Sequence, residues 1–409
     1  MSTRAGNGRA TTTSFTRPCS ISSVNWIFAT RRGDRTPPPR RRSRSGRRPT
    51  VASEEEDEHE TEELELCAAL IALQVETVRV DRTVIRTVRG RDLCIADISE
   101  DRAWCDYRFR KADLYRLYTV LRFPNVWECK NRSRFAGETA LLLMLRRLRY
   151  PGRLWDLEHV FEREYTQLSR LFGEVMDFMS SEHGHLLTDN LAYWEPLFEA
   201  MSRHVEMKGG VDCEGSSIFG FLDGTIRRSC RQRDHDDLQR DNYSGKHKAH
   251  GLSFQSLVLA NGMIGDLYGP ESGRRHDSFL LRESGLNDTL RVLQQGKPFQ
   301  GKVYGDAAYA VQSHVCRGFR GANLTADQRR YNRELSRVRI TVEWTFGRIV
   351  GLFPFVDFKN NLQLLLSPVG KFYTNAALLT NAHNALYGSK TSTYFSMPPP
   401  SLEEYFQSG

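Results

Sequence analysis

The sequence has little of what a membrane-spanning or disulfide-stabilised protein needs. Its longest apolar runs, around residues 141–145 and 362–366, are short, whereas a helix needs roughly 18 to 20 such residues to cross a bilayer. We therefore expect no membrane partner, and the Arg-rich start lacks the apolar core of a secretory signal. The eight cysteines of the 409 residues include no CxxC pair, which excludes a zinc ribbon and favours a reducing compartment.

Acidic residues are scarce at the start of the chain and dense just after it. Residues 1–52 contain twelve arginines and one acid, Asp34, and residues 54–65 contain nine carboxylates. The net charge is +8, so the remaining residues are only mildly basic. We expect a disordered tail over residues 1–63. Its basic cluster at 40–48 is a nuclear-import signal or a phosphate contact, or else part of a neutral linker, and we expect nuclear localisation.

Residues 110–205 have the periodicity of helices. An apolar face over 138–149 predicts one helix, a short helix over 154–161 follows, and Thr166 is the predicted N-cap of a third. Tight turns between them fit a helix-turn-helix that enters the major groove. They fit equally a helical subdomain that packs and forms a homodimer. Residues 64–109 are an uncertain linker.

From residue 206 the pattern changes to strands mixed with helices. The strand-forming runs are 217–222, which ends at Asp223, 252–260 and 263–268, which flank an Asn261-Gly262 hairpin turn, and 302–305; helices are predicted at 277–290 and 332–350. This order predicts an α/β domain with a mixed sheet flanked by helices over residues 206–388. A C-terminal tail over 389–409 would follow.

Three acids stand at informative places in this pattern. Asp223 and Asp306 each follow an apolar strand, and Glu343 lies inside an amphipathic helix. Carboxylates from two strand ends and one helix can converge at a sheet edge, and hard oxygen ligands suit Mg²⁺ or Mn²⁺. A metal centre of this kind can activate water for phosphodiester hydrolysis. Each acid alone is more often a turn cap or a solvated side chain.

Five motifs in order carry a resemblance to a known family. They are Phe221-Leu222-Asp223-Gly224-Thr225, Tyr243-Ser244-Gly245-Lys246-His247-Lys248-Ala249-His250-Gly251, Gly269-Pro270-Glu271-Ser272-Gly273-Arg274-Arg275-His276-Asp277-Ser278, Tyr304-Gly305-Asp306-Ala307-Ala308-Tyr309 and Arg339-Ile340-Thr341-Val342-Glu343-Trp344-Thr345-Phe346-Gly347. Over residues 134–387 the chain resembles the DDE superfamily endonucleases of PIF/Harbinger transposases and the nucleases derived from them. The resemblance implies an RNase H-like fold, a divalent metal at Asp223, Asp306 and Glu343, and cleavage of duplex DNA with strand transfer. It also implies a Myb-like partner protein.

Several basic and acidic side chains around these motifs have two interpretations. Lys246 and Lys248 are candidate phosphate contacts near the first acid, or charged residues of an exposed strand entry, and Arg339 is a further candidate DNA contact. Asp277 is either an N-cap with His276 packed beside it or a fourth acid near the metal. Two functions follow: a nuclear, metal-dependent DNA endonuclease, or a domesticated DNA-binding protein that keeps the fold without cleavage.

Overall fold

A mixed β-sheet flanked by helices forms the second half of the chain in the computed structural model, which describes residues 90–209, 216–231 and 236–408. The predicted tail over residues 1–63 and the first part of the linker, up to residue 89, lie outside the described residues. The five cysteines within the described ranges are free. No helix in the described ranges has the length and apolarity that crossing a membrane requires.

Helices dominate residues 90–209. They are α1 (Glu100–Arg102), which continues into a π-helical turn (Ala103–Tyr107), α2 (Lys111–Val120), α3 (Gly137–Arg149), α4 (Glu158–Phe161), α5 (Tyr165–His183), α6 (His185–Thr188), α7 (Leu191–Trp194) and α8 (Phe198–Met207). Short 3-10 helices lie at Ile95–Asp97, Leu154–Leu157 and Glu195–Leu197. Two short strands, β1 (Val126–Glu128) and β2 (Arg134–Ala136), pair antiparallel before α3.

Helices α3 and α5 confirm the periodicity expected of this region. The apolar side chains of α3 are buried, and α3 ends at Arg149, as the pattern over 138–149 predicts. The apolar stripe of α5, from Leu168 to Met179, is buried as well. The prediction of Thr166 as the N-cap is wrong, because Glu164 has the last extended backbone and Thr166 is already the second helical residue.

The sheet has the mixed order expected of an RNase H-like fold. Its strands are β3 (Ile218–Arg228), β4 (Tyr243–Ser244), β5 (Ala249–Leu259), β6 (Ile264–Ser272), β7 (Lys302–Gly305) and β8 (Val315–Arg317). Across the sheet the order is β6-β5-β3-β7-β8, and β4 pairs with the start of β5. Strand β3 is antiparallel to β5 and parallel to β7, and β8 is parallel to β7. The predicted α/β fold class is confirmed.

Strand β3 is longer than its apolar pattern predicts. It continues past Asp223 to Arg228, and each residue of this extension pairs with β5, from Asp223 with Ser256 to Arg228 with Gly251. The prediction that Asp223 ends the strand is therefore wrong. Backbone hydrogen bonds to β5 keep Gly224 extended where the sequence alone favours a turn.

The remaining helices surround the sheet. They are α9 (Asp236–Asp241), α10 (Asp277–Ser284), α11 (Leu286–Gln294), α12 (Ala326–Leu352), α13 (Val369–Tyr387), α14 (Lys390–Phe395) and α15 (Leu402–Gln407), with 3-10 turns at Pro354–Asp357 and Lys359–Asn361. The helix predicted over 277–290 is broken at Gly285, whose φ is +62°. Helix α12 begins earlier than predicted because Thr325 and Gln328 form a capping box.

Helix α13 joins the amino-terminal helices to the rest of the core. It is buried over most of its length and contacts α5, α12 and α15. Residues 389–409, expected to be a tail, contain α14 and α15, whose Phe395, Tyr405 and Phe406 are buried. The exposed side of α5 carries Arg170 together with Asp177 and Glu182. A surface with both positive and negative charges favours packing within the protein over binding in the major groove of DNA. The helix-turn-helix stays a prediction.

Candidate active site

Two of the predicted acids lie on neighbouring parallel strands. Asp223 is inside β3, and Asp306 directly follows β7. Leu222 pairs in register with Gly305. Asp223 and Asp306 each follow one of these paired residues, so the two acids are at equivalent positions on adjacent strands. Each carboxylate accepts a backbone hydrogen bond: Asp223 Oδ1 from the next N–H at 2.9 Å, and Asp306 Oδ1 from the N–H two residues later at 2.7 Å.

An arginine joins the third predicted acid to the first. Arg339 and Glu343 are one turn apart on α12, whose buried Val338 and Val342 pack this helix into the core. Arg339 Nη1 donates to Asp223 Oδ2 at 2.8 Å, and Nη2 donates to Glu343 Oε1 at 3.2 Å. The guanidinium predicted to contact DNA therefore faces the acids. Of the two acids that Arg339 contacts, Glu343 is the more exposed: 56% of its side chain is exposed, against 16% for Asp223.

Burial controls the protonation of Asp223. It raises the pKa of this carboxyl to about 6, and the negative charges of Asp306 and Asp277 add to the rise. Arg339 and the N–H of Gly224 act in the opposite direction and lower the pKa. The effect of Arg339 on this pKa is larger than that of either neighbouring acid, so burial is the main reason for the rise.

Asp277 also belongs to this neighbourhood. It is the first residue of α10, and His276 is the N-cap without a side-chain bond, so the interpretation of Asp277 as an N-cap is wrong. A Cβ on Gly224 would collide with Oδ1 of Asp277. Only glycine at this point of β3 allows the α10 carboxylate to lie against the strand. Side chains alternate between the two faces of a strand, so this contact is on the face opposite to the Asp223 side chain. Lys246 Nζ donates to the other oxygen of Asp277, Oδ2, at 3.4 Å.

Tyr309 adds a buried hydroxyl to the acids. Its side chain is fully buried, and its hydroxyl has no hydrogen-bond partner among the described residues. The oxygen lies 3.7 Å from the point where a Cβ of Gly224 would be. Burial, and then the charges of Asp277, Asp223 and Asp306, raise the pKa of Tyr309 well above its usual value.

A basic cleft of about 620 Å³ opens beside Gly224 and Asp277. Its lining contains the exposed cations Arg240, Lys246, Arg274 and Arg275. Lys246, a predicted phosphate contact, therefore lines the cleft and also contacts Asp277. Lys248, the other predicted contact, is exposed in a left-handed turn with φ +48° and is not part of this lining.

The donor chemistry of the acids suits a hard divalent cation, although the acids are not gathered around one point. Within the described ranges, no group of three or more His, Cys, Asp or Glu side chains is arranged to hold a metal ion. Instead the Arg339 guanidinium makes the contacts to Asp223 and Glu343 that a cation would make. Carboxylate oxygens that repel one another around a buried Asp223 are nevertheless the donor set that Mg²⁺ or Mn²⁺ prefers.

Sequence reasoning missed one member of this site, Tyr309, and the contacts of another, Arg339. Tyr309 stands in the quoted Asp306 motif, but nothing in the pattern indicates that its hydroxyl is buried without a partner among the described residues. Arg339 is predicted as a DNA contact, not as the partner of two acids. Its spacing of four residues from Glu343 on a helix is the available signal for an ion pair, whereas its contact with Asp223, 116 residues away, has none.

A mixed RNase H-like sheet with acids on two adjacent strands and a facing helix defines a nuclease-like class of domain. Residues 222–381 match the family described as DDE superfamily endonuclease. This stretch includes Asp223, Asp277, Asp306 and Glu343. The chain thus contains a DDE superfamily endonuclease domain, which covers less than half of its length. No curated protein and no solved structure matches the chain.

Proposed function

We propose that this chain is a divalent-metal-dependent DNA endonuclease of the Harbinger transposase type, which hydrolyses phosphodiester bonds and performs strand transfer. The observation that carries the proposal is the placement of Asp223 and Asp306 on adjacent parallel strands, with Glu343 joined to Asp223 through one guanidinium. The sequence pattern alone predicts these three acids, and all of them lie within the family match.

Asp223, Asp306 and Glu343 would hold the metal, which supplies activation of water and stabilisation of the leaving oxygen. Arg339 would have to give up its contacts to Asp223 and Glu343 for the cation to be bound there. Once released, this guanidinium would stand beside the centre as a phosphate contact, which is the role first expected of it. The basic cleft beside Asp277 would hold the DNA backbone close to the acids.

The five motifs support the Harbinger type. Duplex DNA, a Myb-like partner protein and a second copy of the chain are its proposed partners. The arginine cluster at 40–48 supports localisation in the nucleus. Deleting residues 1–52 from a tagged chain should move it to the cytoplasm, and a truncated chain that stays nuclear would contradict this.

A nicking assay on supercoiled plasmid with the full chain tests the nuclease proposal. We expect cleavage with Mg²⁺ or Mn²⁺, none with a chelator, and none from Asp223→Asn or Glu343→Gln, because each amide removes a metal ligand and its charge. Asp288→Asn is the matched control, since Asp288 is an exposed first-turn acid of α11 paired with Arg291. Cleavage by the amide variants at the parent's rate would refute the proposal.

One observation favours a second candidate, a DNA-binding protein that keeps the fold without cleavage. Arg339 neutralises Asp223 and Glu343, and no cluster of three metal-binding side chains is formed among the described residues. Such a protein would bind duplex DNA with an affinity that falls steeply with salt. It would show no nicking with any divalent metal, and no thermal stabilisation by Mn²⁺.

A further inference from the structure

We propose that a row of exposed arginines on α12, with Phe319 just before this helix, is a contact surface for duplex DNA that leads along the helix to Glu343. The inference rests on the proposed function for its ligand and extends it, because it names a DNA contact on the side of β3 that carries Asp223. The surface is separate from the basic cleft, whose lining contains no residue of α12. Its members, called here the α12 surface, are Phe319, Arg329, Arg333 and Arg337.

The first observation is the spacing of the arginines. Arg329, Arg333 and Arg337 follow one another at intervals of four residues on α12, and all three are exposed. Residues four apart lie on the same side of a helix, so the three side chains form one row. The row spans about 12 Å at 1.5 Å per residue. This length corresponds to about three to four phosphates along one strand of duplex DNA, at about 3.4 Å each.

The charge of this row is not neutralised by the protein. None of the ion pairs among the described residues includes any of its three arginines, whereas the neighbouring Arg330 pairs with Glu334 at 3.9 Å. The other acid in this half of the helix is Asp327, in the first turn. Like charges four residues apart destabilise a helix, so the row has a cost that bound anions would remove. The phosphates of duplex DNA are a regular row of such anions.

The second observation is an exposed aromatic ring where α12 begins. Phe319 is 44% exposed, although its backbone is fixed. The amide of Asn332 accepts from the N–H of Phe319 at 2.8 Å and donates to its C=O at 3.0 Å. Asn332 is seven residues before Arg339 on α12, which places both on the same side of the helix. A fixed apolar ring on the side that faces the acids is suited to pack on a sugar or base of bound DNA.

The third observation is the continuity between this row and the proposed cleavage centre. Arg337 is about 9 Å and Arg329 about 21 Å from Glu343 along the helix axis. Both distances lie within about six base steps of duplex DNA at about 3.4 Å each. The buried Val338 and Val342 pack α12 into the core, so the row and Glu343 are parts of one rigid element. DNA bound to the row would therefore flank a bond cut at the acids.

Binding of the full chain to a labelled DNA duplex, measured by fluorescence anisotropy with a chelator present, tests the proposal without cleavage. The test variant replaces all three arginines of the row: Arg329→Gln, Arg333→Gln and Arg337→Gln. We expect the slope of log Kd against log salt concentration to fall by about 2.7, because three phosphate contacts are lost at about 0.9 each. At about 0.1 M salt the affinity should fall by about a hundredfold or more.

A matched control removes the same charge from exposed arginines that have a carboxylate partner in the protein. It combines Arg91→Gln, Arg102→Gln and Arg291→Gln, whose partners are Asp97, Asp106 and Asp288. This control should keep the affinity and the salt dependence of the parent. Phe319→Ala should weaken binding by about fivefold with an unchanged salt slope, because an apolar contact releases no counterions. An unchanged affinity would overturn the assignment of Phe319 to the surface.

The outcomes separate this inference from the proposed function. If the triple variant of the row binds DNA like the parent while the parent nicks plasmid with Mg²⁺, the inference is refuted and the endonuclease proposal stands. If the parent does not nick but the row variant loses DNA binding, the inference is supported and cleavage is refuted. Should the row variant fail to fold, as judged by circular dichroism, Arg333→Gln alone decides. A salt slope lower by about 0.9 would then support the inference, and an unchanged slope would overturn it.

Discussion

Two regions of this protein bury polar side chains, and they do so in opposite ways. In helix α13, the side-chain amides of Asn375 and Asn381 form hydrogen bonds through both the oxygen and the nitrogen. Asn381 accepts from the N–H of Ile264 and donates to the C=O of Ile264 and the hydroxyl of Tyr405, each at 2.9 Å. At the acidic centre, the charges of Asp306 and Asp277 act against that of Asp223, and the buried Tyr309 hydroxyl has no hydrogen-bond partner among the described residues.

The difference separates a structural region from a functional one. The paired amides of Asn375 and Asn381 hold α13 to α5, β6 and α15. These two side chains have no capacity left for a ligand. Repelling carboxylates and a hydroxyl without a partner among the described residues lower the stability of the protein unless a ligand pairs with them. The first region should therefore respond to substitution with lost stability, and the second with lost metal binding and cleavage.

The largest expected effect is on catalysis. Asp306→Asn should reduce single-turnover nicking with Mg²⁺ by about a thousandfold, since a metal ligand contributes several kcal/mol to the transition state. Its melting temperature without metal should equal that of the parent or exceed it, because one repelling charge is gone. A variant that melts well below the parent would place Asp306 with the structural region instead.

Asn381→Ala should produce the largest loss of stability. It leaves the backbone groups of Ile264 and the hydroxyl of Tyr405 buried without partners, so the free energy of unfolding should fall by about 3 kcal/mol in urea denaturation. Asn332→Ala is the control, because Asn332 bonds the N–H and C=O of Phe319 in the same pattern near the surface. There we expect a loss of about 1 kcal/mol or less, since water can replace the amide. Equal losses at the two sites would contradict the comparison.

A pH dependence of stability should arise from His383 in α13. Burial, then the charge of Arg348, lowers the pKa of His383 to about 3, so the folded protein keeps it neutral while the unfolded chain protonates it near its usual pKa. The unfolded state then binds more protons between pH 6.5 and 3, and stability is lost as pH falls through this window.

This loss can be separated from that of other groups by comparison with His383→Gln. Between pH 7 and 4.5 the parent should lose about 2 kcal/mol more unfolding free energy than the variant. His159→Gln, at an exposed position, should follow the parent. Parallel curves for the parent and His383→Gln would mean that His383 is protonated in the folded protein.

The smallest effect compares two buried tyrosines. Tyr405→Phe removes a hydroxyl that accepts from Asn381 and should cost about 1 kcal/mol of unfolding free energy. Tyr309→Phe removes a hydroxyl that has no partner among the described residues and should raise the unfolding free energy of the metal-free protein by up to about 1 kcal/mol. Opposite signs in denaturant titrations would sharpen the comparison, and equal losses would show that Tyr309 is paired.

The local sequence pattern correctly predicted those helices, strands and turns that form from interactions between residues close together in the chain. Helix α3 and strand β7 were placed within a residue of their observed bounds, and the hairpin at Asn261-Gly262 was placed at the right turn. The predicted strand β3 ended too early, at Asp223, because its extension to Arg228 depends on pairing with β5, about 30 residues later in the chain. The break at Gly285 was missed because the apolar periodicity continues across it.

The amino-acid sequence by itself determined the mixed α/β class and provided the three candidate acids, because hydrophobic periodicity and motif order are properties of the chain. Only the tertiary structure decided what surrounds those acids. It brought Arg339 between Asp223 and Glu343, placed Asp277 against Gly224, and buried the Tyr309 hydroxyl near the same glycine. Such contacts join residues far apart in the chain, and a charge or hydroxyl has no partner until packing selects its neighbours and excludes water.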